Sequence, residues 1–156
     1  MKVTFLVTGR TTDRTLESMV EDYRRRVTHY LPFDIQVVPD LKNARNMSET
    51  QQKEAEGQLI LQRVQAQTDL VLLDEHGTEM RSLEFAQYMQ IKMSAGRDLM
   101  FVVGGPYGFS EAVYKRANGK LSLSKMTFSH QMIRLFFTEQ LYRALTILKG
   151  EPYHHE

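Results

Sequence analysis

The chain is 156 residues long, close to the roughly 150 of an average domain, so its length predicts one compact unit over 1–156 with a real buried core. With 42% hydrophobic and 25% charged residues it is neither disordered nor low-complexity, and 20 Lys+Arg against 19 Asp+Glu exclude a protein that holds nucleic acid by bulk charge. The absence of cysteine excludes disulfides, thiolate zinc sites, iron–sulfur clusters and a Cys nucleophile, and it is compatible with a reducing cytoplasm.

The opening residues 2 to 8 are β-rich, and polar Thr4 and Thr8 followed by Arg10 make them a first strand, not a signal peptide. Leu16, Met19, Val20, Tyr23, Val27 and Tyr30 recur at spacings of three and four and predict a helix. Asp34 to Val38 reads as a short strand stopped by Pro39, and residues 39 to 47 as a polar loop. Ser48 with Gln51 then opens a capping-box helix carrying Ala55, Leu59, Ile60 and Val64.

Leu70 to Leu73 and Leu99 to Val103 are unbroken apolar runs, the pattern of parallel strands covered by helices on both faces, and are read as the central strands. Between them Ser82 caps a helix bearing Phe85, Ala86, Met89 and Met93, with Gly96 as its stop. A short helix from Ser110 to Ala117 ends at Asn118-Gly119, and Lys120 to Ser124 forms the last strand. A long helix runs from about His130, capped by Ser129, to Lys149, where Gly150 and Pro152 end it.

Five strands and about five helices in alternation predict an α/β doubly wound sheet, mainly parallel and flanked by helices. Ligands of such sheets lie beyond the carboxyl ends of the strands, which directs attention to the loops after Leu73, Val103 and Ser124. No run approaches the roughly 18 apolar residues of a membrane span.

Three late segments carry candidate chemistry. Gly104-Gly105-Pro106-Tyr107-Gly108 follows a buried strand, where glycines let backbone approach a ligand; the plainer reading is a tight turn. Pro106 breaks a dinucleotide fingerprint and no Gly-Lys-Ser/Thr makes a Walker A loop. Leu121 to His130 is a hydroxyl-rich loop with apolar anchors at Met126 and Phe128, long for a plain connection. The last helix carries more apolar side chains than one small core takes, which points to burial against a second subunit. Glu139 and Arg143 are placed to pair at i and i+4, and sequence alone reads them as an exposed pair of little worth.

Residues 115–156 hold seven Lys+Arg and three acids, so that stretch carries +4 and suits a phosphate backbone or simply a solvated surface. Arg24-Arg25-Arg26 forms a second basic patch. Tyr153-His154-His155 closes the chain with a stacking ring and titratable imidazoles, in a tail of the kind that usually frays. No His/Asp/Glu set has metal-ligand spacing, so His29, His76 and Asp74-Glu75 are read as surface or turn residues and no metal is expected.

Taken together, Val-Val-Gly-Gly-Pro-Tyr-Gly, Leu-Ser-Leu-Ser-Lys-Met-Thr-Phe-Ser-His-Gln-Met-Ile-Arg and Glu-Gln-Leu-Tyr-Arg-Ala with a closing Tyr-His-His resemble the SPOUT methyltransferases, and within them the ribosomal large subunit methyltransferase H family. The resemblance runs the whole length. It implies an α/β-knot fold with a C-terminal trefoil knot, a cytoplasmic homodimer, S-adenosylmethionine as cofactor, and methylation of N3 of a pseudouridine in 23S ribosomal RNA within the ribosome. The family's cofactor contacts fall on Leu73, Gly104, Gly105, Leu123, Ser124, Lys125, Met126, Thr127 and Phe128. For the acceptor it implies Arg143 as stabiliser of an imide anion and Glu139 as its orienter; His154 as proton acceptor and Tyr153 as holder of the flipped base are assigned on chemistry and location. The competing reading is a non-catalytic nucleotide- or phosphate-binding α/β module.

Overall fold

The computed structural model describes residues 1–156. Five parallel strands form one sheet in the order β2-β1-β4-β3-β5, with β1 Val3–Thr8, β2 Phe33–Val38, β3 Asp69–Glu79, β4 Leu99–Val103 and β5 Gly119–Ser122. The unbroken apolar runs have the reason anticipated for them. In β4, Leu99, Phe101 and Val103 enter one core while Met100 and Val102 enter the other, and β3 divides Val71 and Leu73 from Leu70 and Leu72 in the same way.

Helices α1 (Arg14–Thr28), α3 (Ser82–Ala95) and α5 (Met132–Leu148) cover the first face, and α2 (Glu49–Leu61) and α4 (Glu111–Arg116) the second. Phe137 of α5 anchors the larger core, its ring 4.6 Å from Phe5 and 4.7 Å from Phe101. Most apolar side chains of α5 are therefore absorbed by their own chain. Met132 and Phe136 remain open, each 40% exposed. The partner inferred from that helix has only its N-terminal turns to meet.

Local signals set most boundaries. Ser48 and Gln51 make the reciprocal capping box, and the Asp13 carboxylate accepts the Leu16 N–H at 2.9 Å to start α1. Gly96 ends α3 in the left-handed region. Ser129 accepts the Met132 N–H at 3.0 Å, as an N-cap does, although regular helix begins only at Met132.

Several expectations need correction. Ser82 is the first residue of α3, not its cap; the Arg81 N–H preceding it is met by the Glu84 carboxylate at 2.8 Å. Val64 lies beyond α2, a 3-10 turn at Ala44–Asn46 interrupts the polar loop, and β5 stops at Ser122, leaving Leu123 and Ser124 to the next loop. The largest departure is β3, which continues to Glu79 through residues with no apolar pattern. The three-arginine patch is largely neutralised on its own helix, Arg24 pairing with Glu21 at 2.6 Å and Arg26 with Asp22 at 3.0 Å.

Candidate active site

The carboxyl ends of β3, β4 and β5 open on a cleft of about 450 Å³, a volume suited to a small-molecule ligand. Leu73 closes its floor. Gly104 and Gly105 form one wall; Leu123, Ser124, Met126, Thr127 and Phe128 form the other. Eight of the nine residues named for the cofactor thus share one cavity, while Lys125 does not line it.

The second wall is built by short-range bonds. The Ser122 hydroxyl donates to the Ser124 carbonyl at 2.9 Å, and the Ser124 hydroxyl accepts the Met126 N–H at 2.9 Å. Phe128 packs on Phe136, ring centres 5.1 Å apart. Below it, Arg134 is 2% exposed and clamps two segments: Nε donates to the His130 carbonyl at 3.0 Å, Nη1 to the Gly9 carbonyl at 2.8 Å and the Thr11 hydroxyl at 3.1 Å, and Nη2 to the Thr8 carbonyl at 2.8 Å. Burial lowers its pKa, against the opposing charge of Asp40. Gln131 adds a staple, accepting the Thr12 N–H at 2.9 Å.

The glycine wall is at once a tight turn and a cavity lining. The Gly108 N–H closes on the Gly105 carbonyl at 3.1 Å, with Gly108 at φ 81°. Gly104 and Gly105 also have neighbours within the protein itself. A Cβ on Gly104 would press the Phe109 ring at 3.1 Å, and one on Gly105 would meet the Glu56 carboxyl, the movable end of a flexible side chain, so packing within the protein favours small residues at both positions. Glu56 has its pKa raised by burial first and by Asp40 second.

Sequence reasoning passed over the third side of the cleft. Asp74, Glu75 and His76, read as turn residues, line it together with Tyr114. The signal was their position directly after Leu73 at the end of a buried strand. The residues lining the cavity include two carboxylates and neither lysine nor arginine. A phosphate would meet net repulsion there, whereas a cation is favoured.

Glu139, Arg143, Tyr153 and His154 come together in a second cluster, and none of them lines the cleft. The pair read as exposed is largely covered: Arg143 Nη2 meets Glu139 Oε1 at 2.6 Å, with side chains 24% and 19% exposed. The Tyr153 hydroxyl donates to the same oxygen at 2.9 Å and lies 3.0 Å from the Tyr23 hydroxyl, while the Gln140 amide takes the other carboxylate oxygen at 2.9 Å. The Arg143 guanidinium covers the Tyr153 ring, 4.9 Å from its centre, so that ring face is occupied. Burial, the Tyr23 hydroxyl and Glu139 push the Tyr153 phenol up, which keeps it a donor. The tail is docked, not frayed.

Arg143 Nη1 lies 3.0 Å from His154 Nδ1. A guanidinium only donates, so Nδ1 accepts and the proton of the neutral ring sits on Nε2. That atom is buried without a hydrogen-bond partner, 3.9 Å from the Glu156 carboxylate. In this arrangement His154 offers a donor from Nε2. A smaller hollow of about 180 Å³ adjoins the cleft through Leu121, Leu123 and Phe128 and ends at Gln140, beside the cluster.

A family model described as "Predicted SPOUT methyltransferase" matches residues 1–154. Among curated relatives, the ribosomal RNA large subunit methyltransferase H of Bacteroides thetaiotaomicron is 59% identical over 157 residues, covering 100% of both chains. Those of Parabacteroides distasonis and Flavobacterium johnsoniae are 57% and 52% identical, each again over 157 residues and 100% of both chains.

Proposed function

Since the chain belongs to the SPOUT methyltransferase family over nearly its whole length, we propose that it methylates N3 of a pseudouridine in 23S ribosomal RNA, working on the large ribosomal subunit. The observation that carries this reading is the cleft, where three loops at the ends of parallel strands enclose two carboxylates and no fixed cation. Such a site suits S-adenosylmethionine and opposes the nucleotide or phosphate module that was its rival. When bound, that cofactor supplies a methyl group activated on a cationic sulfur.

Leu73, Gly104, Gly105, Leu123, Ser124, Met126, Thr127 and Phe128 would hold it, with Lys125 on the outer side of the same loop. The acceptor nitrogen becomes nucleophilic on losing its imide proton. Arg143 stabilises the resulting anion; two of its N–H groups are engaged by Glu139 and His154, which leaves the rest of the fork for the base. Glu139 holds that fork in orientation. Tyr153 steadies the base only after its ring leaves the guanidinium, and His154 enters first as a donor from Nε2.

The reading takes the protein as a cytoplasmic homodimer with a knotted C-terminal half, over a single domain from 1 to 156. Cleft and tail cluster are separate within one chain, and Met126, 77% exposed, with Met132 and Phe136 lies along the chain between them. Two copies meeting on that apolar face would bring a tail cluster to a cleft.

The test is incubation of ribosomes from a strain lacking this protein with labelled S-adenosylmethionine, followed by mapping of the modified nucleotide. Arg143→Ala should lower transfer by roughly 100-fold or more while calorimetric affinity for the cofactor stays within about a factor of two. Retained turnover removes Arg143 from the chemistry, and failure of the wild-type protein to bind the cofactor or its demethylated product removes the whole reading.

A further inference from the structure

The excursion that interrupts β3 has a chemistry of its own. Leu73 and Thr78 are both in register with Leu121 of β5, so residues 74–77 leave the sheet and return to the same partner. The return requires glycine at 77, where a Cβ would stand 2.7 Å from backbone atoms of Leu121 and Lys120. What the excursion gains is the placement of Asp74 and Glu75 on the cleft.

Asp74 is fixed there by two donors, the Tyr114 hydroxyl and the His76 N–H, the latter at 2.9 Å. Burial and Asp74 together push the Tyr114 phenol up to about 12, so it stays protonated and leaves the charge on the carboxylate. Glu75 is more open, its side chain 58% exposed and 3.6 Å from the His76 ring. Lys120 approaches this corner through the Tyr114 ring, 5.6 Å from its centre, and does not line the cavity.

We propose that Asp74, assisted by Glu75, makes the cleft select the cationic methyl donor over the neutral product; the inference rests on the cofactor reading given above. Donor and product share their adenine, ribose and amino-acid parts, and contacts to those parts bind both alike. They differ by one methyl group and one positive charge. A fixed carboxylate with no lysine or arginine lining the cavity acts on that charge over and above whatever it does to the ammonium and ribose groups that both ligands share. Methyl transfer then weakens the grip of the site on what remains, which favours exchange for a fresh donor.

Calorimetry of the full protein against S-adenosylmethionine and S-adenosylhomocysteine, separately, tests this in the wild type, Asp74→Asn and Glu75→Gln, with ligand-free melting temperatures as a fold control. Asp74→Asn should weaken the cationic ligand roughly three- to tenfold, leave the neutral one within about a factor of two, and lose its effect as salt rises. Glu75→Gln should act in the same sense by about twofold, and it carries the test if Asp74→Asn lowers the melting temperature sharply. Equal weakening of both ligands would assign the carboxylates to a shared part such as the ribose diol and overturn the proposal, as would no change in either. Failure of the wild type to bind both ligands is a different result, since it removes the cofactor reading beneath.

Discussion

Arg134→Met replaces the largest fully buried side chain by one of similar length that donates nothing. The guanidinium makes four hydrogen bonds, three of them to carbonyls of Thr8, Gly9 and His130, and no carboxylate lies within ion-pair distance. At about 1.5–3 kcal/mol for a bond to a charged group, a figure already net of the water each partner gives up, four bonds set an upper bound of roughly 6–12 kcal/mol, which bonds sharing one side chain do not reach. Against it stands the several kcal/mol that a buried cation costs after relaxation, visible here as the lowered pKa. The balance leaves about 2–4 kcal/mol in favour of arginine, and at about 2–4 °C per kcal/mol the melting temperature should fall by roughly 4–16 °C. Urea unfolding followed by circular dichroism measures it, with an unchanged m-value showing that the denatured state is not involved. A variant within about 1 kcal/mol of wild type would refute the reasoning, because a cage of carbonyls would then do no better than cancel the desolvation of the charge it holds.

Gly77→Ala should cost more than the roughly 1–3 kcal/mol usual for overpacking, because the added carbon meets backbone of β5 and not a side chain that can turn away; unchanged stability in denaturant would show that β5 slides. The raised pKa of Glu56 gives a pH signature. A carboxyl that holds its proton more tightly when folded contributes stability fully present below its ordinary value near 4.5, and that contribution is lost as pH rises through the folded-state pKa. Glu56→Gln should therefore gain in relative melting temperature as pH climbs from 4 to 8, and a flat difference across that range would count against the assignment.

The central strands were legible because Leu70–Leu73 and Leu99–Val103 are buried on both faces and so carry no polar punctuation, and two of the helices because Ser48 and Gly96 mark an end chemically. The second half of β3 was not, since Asp74, Glu75 and His76 line the cavity mouth and slip out of register with β5, so the apolar pattern of a buried strand stops at Leu73. The loops that line the cleft were legible from their place after buried strands. Arg134 could not be: a charged residue on a helix reads as exposed, and the carbonyls that cage it come from Thr8 and Gly9, far away in sequence. The covering of Glu139 and Arg143 likewise depends on where Tyr153 and His154 fold back after Gly150, which helical spacing does not report.

The clamp between residues 8–12 and 130–134 also bears on the order of synthesis. The opening strand emerges first, yet its carboxyl end stays without a lock until the final helix has been made, and that helix supplies Phe137, the ring on which Phe5 and Phe101 both pack. A growing chain can assemble pieces of sheet but cannot close them. Completion is therefore a late, concerted event of high contact order, reached after the nascent polypeptide is nearly whole, and premature termination anywhere in the last helix should leave an open, protease-sensitive intermediate, not a smaller stable domain.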